Sequence, residues 1–360
     1  MSMRTAIALA RRGLGTTWPN PSVGCVIVAN DSVAGVGWTA PGGRPHAETQ
    51  ALAMAGEKAR GATAYVTLEP CSHHGETPPC TDALIAAGVA RVVFGATDPD
   101  PRVNGAGLAR LRQAGIAVEG PVLGEEGADV LAGFFSRVRR GRPTLTLKLA
   151  STLDGRIATS TGESQWITGT PARKAAHALR GRHDATLVGA ATVLHDDPDL
   201  CCRVDGYVRR PNPRLVLDSH LHTPLTARIV VSAREAPTWL LHRDGADPAR
   251  AAALAELGVR CIEVAGGPVG VDPAVALAAL AEAGLTSVLL EGGGQMAASF
   301  LRAGLVDRIA WFHAPSVIGG DGVPAVAAMG FAALADLPRF RRVAETLTGD
   351  DLLTEFIRAA

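Results

Sequence analysis

PHAETQAL (residues 45–52) and TLEPCSHHGETPPCTDALI (residues 67–85) decide how the first third of this chain is read. His46 opens a helical stretch running to Ala59. Glu69-Pro70-Cys71 follow the run Ala62 to Leu68, a strand by its β-branched and aromatic content. Cys80 begins a second helix nine residues after Cys71. One imidazole and two thiolates make a three-ligand zinc site with its fourth position open, the catalytic rather than the structural pattern. Two thiolates balance the charge of the ion, and helix N-termini favour deprotonated thiols. Zinc so held acidifies water toward neutral pH. Glu48 stands two positions from His46, and i and i+2 do not share a helix face. It is therefore expected beside the metal, where a carboxylate can take a proton from the attacking water and pass it to a leaving nitrogen.

A lone His-x-Glu carries little, and a lone Cys is usually core. Cys25, inside the apolar strand Val23 to Ala29, reads that way. The ordered set is different. It matches H-x-E…P-C-x-x-C, the signature of zinc deaminases, with one departure: eight residues separate the two cysteines. His73 and His74 fall in that insert. They are expected to face substrate, since a fourth protein ligand would leave no open position.

Working outward, strands alternate with helices, which makes an α/β layer fold. Val33 to Trp38 is the hairpin partner of Val23 to Ala29, and Thr81 to Ala87, Gly107 to Ala114 and Glu125 to Phe135 are helices. The charged stretch RVRRGRP (137–143) is the expected linker, dividing the chain into domains 1–140 and 141–360. Beyond it the rhythm resumes. Strands are expected at Thr144 to Ala150, Ala185 to Val188, Arg214 to Leu217, Arg228 to Val231, Thr238 to Leu241, Val259 to Val264, Ser287 to Leu290 and Arg308 to His313. Helices are expected at Pro171 to Arg180, Asp247 to Leu257, Pro273 to Ala283 and Met296 to Ala303.

Composition fits a two-domain globular enzyme: 360 residues, 47% hydrophobic and 19% charged. Lys+Arg and Asp+Glu are 35 each, so no bulk positive field marks a nucleic-acid binder. Six cysteines are too few for a disulfide scaffold of this size. With neither a secretory leader nor an apolar run of membrane-span length, the expected compartment is the reducing cytoplasm. Lys58, Lys148 and Lys174 are the only lysines, so each is notable.

PNPSVGCVIV (19–28), PHAETQAL and TLEPCSHHGETPPCTDALI together resemble the deaminase domain of the bifunctional riboflavin-biosynthesis deaminase/reductases. KLASTLDGRIA from Lys148, GESQWIT from Gly162, ATVLHDDPDLCCR from Ala191 and LLEGGGQMAASFL from Leu289 resemble the reductase domain of the same family, in the same order. The resemblance implies a cytidine-deaminase-like α/β/α domain followed by a dihydrofolate-reductase-like α/β domain. It implies zinc-dependent deamination of 2,5-diamino-6-(5-phosphoribosylamino)pyrimidin-4(3H)-one. It then implies NADPH-dependent reduction of the ribose of the deaminated product to a ribityl chain.

The same resemblance assigns residues. His46, Cys71 and Cys80 would hold zinc, Glu48 would be catalytic, and Asn20 and His73 would contact the deaminase substrate. Ala150, Trp166, Thr192, Asp196, Ser219 and the run Gly293, Gly294, Gln295, Met296, Ala297, Ala298, Ser299 would line NADPH. Ser164, Arg180, Leu200, Arg203 and Glu291 would contact the reductase substrate. Arg180 and Arg203 suit a phosphate, because a guanidinium fork binds one bidentately. GGG (292–294) lacks the third glycine of a Rossmann fingerprint, yet a strand, small residues and a helix N-terminus favour a pyrophosphate. Lys148 is expected near the reacting sugar carbon, as a proton donor or as a plain strand lysine. Asp154 reads as a turn residue and Cys201-Cys202 as packing.

Two departures bear on phosphate. Glu76 stands where the family often has a basic residue. Asn104-Gly105-Ala106-Gly107 stands where it commonly has AGRG, leaving Arg44 and Arg102 as nearby substitutes. Two alternatives stay open: an enzyme with one live half, and a nucleic-acid base deaminase with a non-catalytic binding domain. Against the second stand zero net charge and sparse aromatics, 8 Phe, 5 Trp and 2 Tyr. Small-molecule substrates and a homo-oligomer are the expected partners, with no nucleic acid and no membrane.

Overall fold

The structure is a computed structural model that describes residues 2–73, 75, 78–101, 103–204, 211–267 and 270–359. It divides into two compact units, Met1–Gly141 and Arg142–Ala360.

Unit 1 runs α1 (Ser2–Ala10), β1 (Gly24–Ala29), β2 (Ser32–Trp38), α2 (Ala47–Ala55), β3 (Thr63–Leu68), α3 (Cys80–Ala86), β4 (Arg91–Ala96), α4 (Ala106–Gln113), β5 (Ala117–Glu119) and α5 (Glu125–Arg140). The sheet order is β2-β1-β3-β4-β5, antiparallel through β1 and parallel from β3 onward. Strand alternation assigns the faces. Cys25 and Ile27 point toward α2 and are wholly buried, as expected for core. Opposite them in the hairpin stand Gly37 and Gly35. A Cβ on either would strike the backbone of α2, so these glycines let α2 lie directly on the hairpin. That contact sets where the start of α2, and hence His46, comes to rest.

The expected linker is corrected in part. Arg137 to Arg140 are the last turn of α5, and the break comes at Gly141, φ +64°. Cations in a final helical turn complement the helix dipole, so an Arg-rich run here lengthens the helix.

Unit 2 runs β6 (Thr144–Thr152), β7 (Arg156–Ala158), α6 (Thr170–Arg182), β8 (Ala185–Gly189), α7 (Ala190–Asp196), β9 (Arg214–Leu217), α8 (Arg228–Val231), β10 (Thr238–Arg243), α9 (Pro248–Glu256) and β11 (Arg260–Val264). It continues through β12 (Gly266–Gly267), β13 (Gly270–Val271), α10 (Pro273–Glu282), β14 (Ser287–Leu290), α11 (Gly294–Arg302), β15 (Arg308–Ala314), β16 (Val323–Pro324), β17 (Phe340–Thr348) and β18 (Asp351–Arg358). A nine-stranded sheet has the order β11-β10-β9-β8-β14-β6-β15-β18-β17, parallel except where β18 pairs with its neighbours. Helix α6 packs through Ala172 and Leu179 against Ala310, Phe312 and Leu353.

Arg228 to Val231, expected as a strand, is a one-turn helix. The cause is Arg214, 2% exposed, whose guanidinium donates to the carbonyls of Ile229, Ser232 and Ala236 and to Thr238 Oγ1. The helical turn and its C-cap bring the Ile229 and Ser232 carbonyls within reach of one guanidinium nitrogen. None of the described helices is long and apolar enough to cross a membrane. All six cysteines are free.

His183 offers a check on unit 2. Its Nδ1 lies 2.8 Å from the Leu179 carbonyl and its Nε2 2.8 Å from Thr146 Oγ1. Nδ1 donates to that carbonyl, and in the neutral ring Nε2 accepts the Thr146 hydroxyl. Burial pushes His183 down from 6.5 to about 4. Between those values the unfolded chain takes up a proton and the folded chain does not. Stability should therefore fall as pH drops from 6.5 toward 4 and be flat above, by about 3 kcal/mol for this group. Urea unfolding followed across that range should show a shallower pH slope for His183→Gln than for the parent chain. An unchanged slope would remove His183 as a source.

Candidate active sites

The N-terminus of α2, the end of β3 and the N-terminus of α3 converge in unit 1. His46 caps α2 in extended backbone, and Cys80 is the first residue of α3. His46 Nδ1 lies 3.2 Å from Cys80 Sγ and 3.7 Å from Cys71 Sγ, and the three donor atoms fall within 4.8 Å of one another. Tetrahedral zinc with these ligands would separate its donors by about 3.5–3.8 Å. The donor set fits that ion in chemistry and in spacing.

The Cys80 N–H donates to Cys71 Sγ at 3.2 Å. The Cys80 thiol, more than burial can oppose, holds the Cys71 thiol down to about 4, with His46 adding to the effect. That same hydrogen bond, then burial, pushes Cys80 up. His46 is lifted by its bond to Cys71. Glu48 is 4% exposed. Burial first, then the Cys71 charge, raises it to about 7, against the pull of His46. A carboxyl near neutrality suits proton transfer in both directions.

A pocket of about 660 Å³ opens over this cluster, lined by Asn20, His46, Glu48, Cys71 and His73 and also by Arg44, Asp98, Asp100 and Phe134. Asp98 and Asp100 were missed in sequence. Their signal was position, past the C-terminal end of a parallel strand, where open α/β sheets place ligands. Burial lifts Asp98 to about 6, against a hydrogen bond from the Asp100 N–H. His74, Glu76 and Arg102 lie outside the described residues. Ala106 is exposed at the first turn of α4.

In unit 2 a cleft of about 670 Å³ brings Lys148, Ala150, Arg180, Thr192, Asp196, Leu200 and Glu291 together with Ile157 and Gly292. Arg180 is already paired. Its Nε and Nη2 donate to the two oxygens of Glu291 at 2.6 and 3.0 Å, and its Nη1 to the Cys201 carbonyl at 3.3 Å. Burial would raise Glu291, but Arg180 and then Lys148 bring it to about 2. Burial lowers Lys148 against the pull of Glu291. The Arg180 fork is therefore spent on a carboxylate, which bears directly on its expected phosphate role. Leu200 is buried with φ +59°, a left-handed conformation that a leucine adopts only under constraint from its surroundings.

Other expected residues lie outside this cleft. Ser164 is exposed, and Trp166 is 68% exposed beneath the Arg173 guanidinium at 4.5 Å, so neither is core. Arg203 is exposed, 3.8 Å from Asp199. Ser219 Oγ accepts the Val271 N–H. Gly293 caps α11 and Gly294 begins it, followed by exposed Gln295 and half-buried Met296. A Cβ on Gly292 would run into Met296, and Gly293 faces open space, so backbone can approach a phosphate there. Ala297 and Ala298 are wholly buried and Ser299 half-buried, so the two alanines pack α11 and turn no side chain toward a ligand. His177, three residues before Arg180 on α6, was missed. Its Nδ1 sits 3.1 Å from the Cys201 carbonyl and 3.3 Å from the Arg203 N–H.

Comparison with known proteins covers both units. Residues 1–96 match the cytidine and deoxycytidylate deaminase zinc-binding region, and residues 143–353 match the RibD C-terminal domain. The riboflavin biosynthesis protein RibD of Aquifex aeolicus is 41% identical over 99% of this chain and 97% of its own length. That of Escherichia coli K12 is 42% identical over 99% and 98%. Among solved structures, Acinetobacter baumannii RibD superposes with a TM-score of 0.89 at 37% identity, covering 100% of this chain and 98% of that one. A diaminohydroxyphosphoribosylaminopyrimidine deaminase/5-amino-6-(5-phosphoribosylamino)uracil reductase from Thermotoga maritima does so with a TM-score of 0.85 at 34% identity, covering 99% and 98%.

Metal analysis of the purified chain should give about one zinc per molecule. Cys80→Ser should lower that content at least about tenfold, with the nucleotide affinity of unit 2 unchanged. Zinc retained in that variant would remove Cys80 from the ligand set.

Proposed function

Because the chain belongs to the RibD family of bifunctional riboflavin-biosynthesis enzymes, a zinc deaminase joined to an NADPH-using reductase, we propose that its two reactions divide between its two units. Residues 1–140 carry the deamination and 141–360 the reduction. The observation that supports the division is the pair of separate pockets, one over two cysteines and a histidine, the other over half-buried Lys148, Arg180 and Glu291.

For the first step, His46, Cys71 and Cys80 would hold zinc, which when bound acidifies the water that attacks the pyrimidine carbon bearing the amine. Glu48 takes the proton of the attacking water on its carboxylate and returns it to the departing nitrogen, so water enters and ammonia leaves. Asn20 and His73, on the pocket wall, hold the pyrimidine. Arg44 is the described cation on that wall and suits the substrate phosphate.

For the second step, NADPH at Gly293–Met296, Thr192 and Asp196 supplies hydride for the former anomeric carbon of the ribose. Lys148 Nζ delivers the balancing proton to the opened sugar, and its lowered affinity for that proton favours the transfer. Glu291 fixes Arg180 and offers acceptors to ribose hydroxyls. Arg203, exposed while Arg180 is spent on Glu291, becomes the better phosphate ligand. Trp166, Ser164, Leu200 and Ser219 complete the expected lining. Ala297 and Ala298 are left out of it. The same reading places the enzyme in the cytoplasm as a homo-oligomer. Supporting the latter, the edge strand β17 carries Val343, 45% exposed, and Leu347, 78% exposed.

Glu48→Gln should abolish ammonia release, by about 10²-fold or more, and leave NADPH oxidation with the deaminated substrate intact. Loss of both activities in a folded variant would contradict the division. Lys148→Met should cut NADPH oxidation by about 10²-fold with ammonia release unchanged, read from the two half-reaction assays. A normal reductase rate would demote Lys148 to a strand residue.

A further inference from the structure

One buried carboxylate of unit 1 is used neither by the metal donors nor by the proton transfer given to Glu48. Glu69 is 3% exposed and immediately precedes Pro70-Cys71. Its Oε1 accepts the N–H of Gly105 at 2.9 Å and of Gly107 at 3.1 Å. Its Oε2 accepts Gly105 at 3.0 Å and Asp98 at 3.4 Å. Backbone amides at both ends of the segment 98–107 thus close on one side chain.

Gly105 and Gly107 lie at the first turn of α4, whose unpaired N–H groups and dipole favour an anion. Gly105 has φ +90°, and a Cβ on Gly107 would run into the Pro70 carbonyl oxygen. The turn is pressed onto Glu69-Pro70 and fits because it carries no side chain at those two positions. The same segment bears Asp98, Asp100 and Val103, all walls of the pocket. Within the segment the Asp100 N–H donates to Asp98 Oδ1 at 2.8 Å, and the Val103 and Asn104 N–H groups to the Asp100 carbonyl at 2.9 and 3.1 Å. Such bonds shape the loop without locating it. Glu69, two residues along the backbone from Cys71, ties Asp98, Gly105 and Gly107 to the end of β3.

We infer that Glu69 is a positioning residue of the deaminase half, tying the pocket-wall residues Asp98, Asp100 and Val103 to the segment that carries Cys71. It thereby sets substrate affinity more than the rate of bond breaking. This rests on the deaminase reading of the pocket.

The test uses full-length, zinc-loaded Glu69→Ala and Glu69→Gln. Glu69→Ala should raise KM for ammonia release about tenfold or more and leave kcat within about threefold. Zinc content should match the parent, and amide exchange at Gly105 and Gly107 should accelerate. Glu69→Gln keeps one acceptor oxygen and should recover part of the KM. Loss of zinc, a fall in kcat at unchanged KM, or parental exchange at both glycines would overturn the assignment. If Glu69→Ala does not fold, Glu69→Gln carries the same measurements. If the parent chain itself releases no ammonia, the deaminase reading fails, and amide exchange alone still decides whether Glu69 holds the loop.

Discussion

Two thiols and an imidazole crowded together are poor company without a cation among them. In this chain that crowding organises unit 1. The cluster works because each donor sits where the backbone helps it. His46 and Cys80 stand at helix N-termini, and Cys71 receives an N–H from Cys80. Gly35 and Gly37 bring α2 down onto the hairpin, which places His46. The site is thus a consequence of how closely one helix can approach two strands.

Unit 2 solves a different problem. Lys148, Arg180 and Glu291 share a cleft, and the carboxylate between the cations keeps all three tolerable. The pairing of Arg180 with Glu291 also restrains α6 against the end of β14. An arginine so committed is part of the frame, which shifts phosphate recognition toward groups that remain exposed.

The sequence was most legible where chemistry demands particular residue types. HAE, PC and a later Cys have few other uses in that order, and α2, β3 and α3 came from periodicity and punctuation. It was least legible where one side chain serves backbone. Arg214 turns RIVV into a helix by gathering carbonyls, and Glu69 anchors a loop by gathering amides. Carbonyls and amides exist at every position, so neither partner leaves a mark in sequence. RVRRGRP misled for a related reason, since its arginines satisfy a helix end as well as a linker. The hairpin of β17 and β18 was not read because β17, nearly all exposed, lacks a clean alternation of apolar residues.

The central claim is that one chain holds two independent chemistries, only one of which needs the cluster of His46, Cys71 and Cys80. The most direct measurement takes one preparation and follows ammonia release and NADPH oxidation, the latter with deaminated substrate, before and after exhaustive chelation. The account expects ammonia release to vanish on chelation and return with added zinc, and NADPH oxidation to stay constant throughout. Joint loss of both activities, or ammonia release that survives removal of the metal, would contradict it.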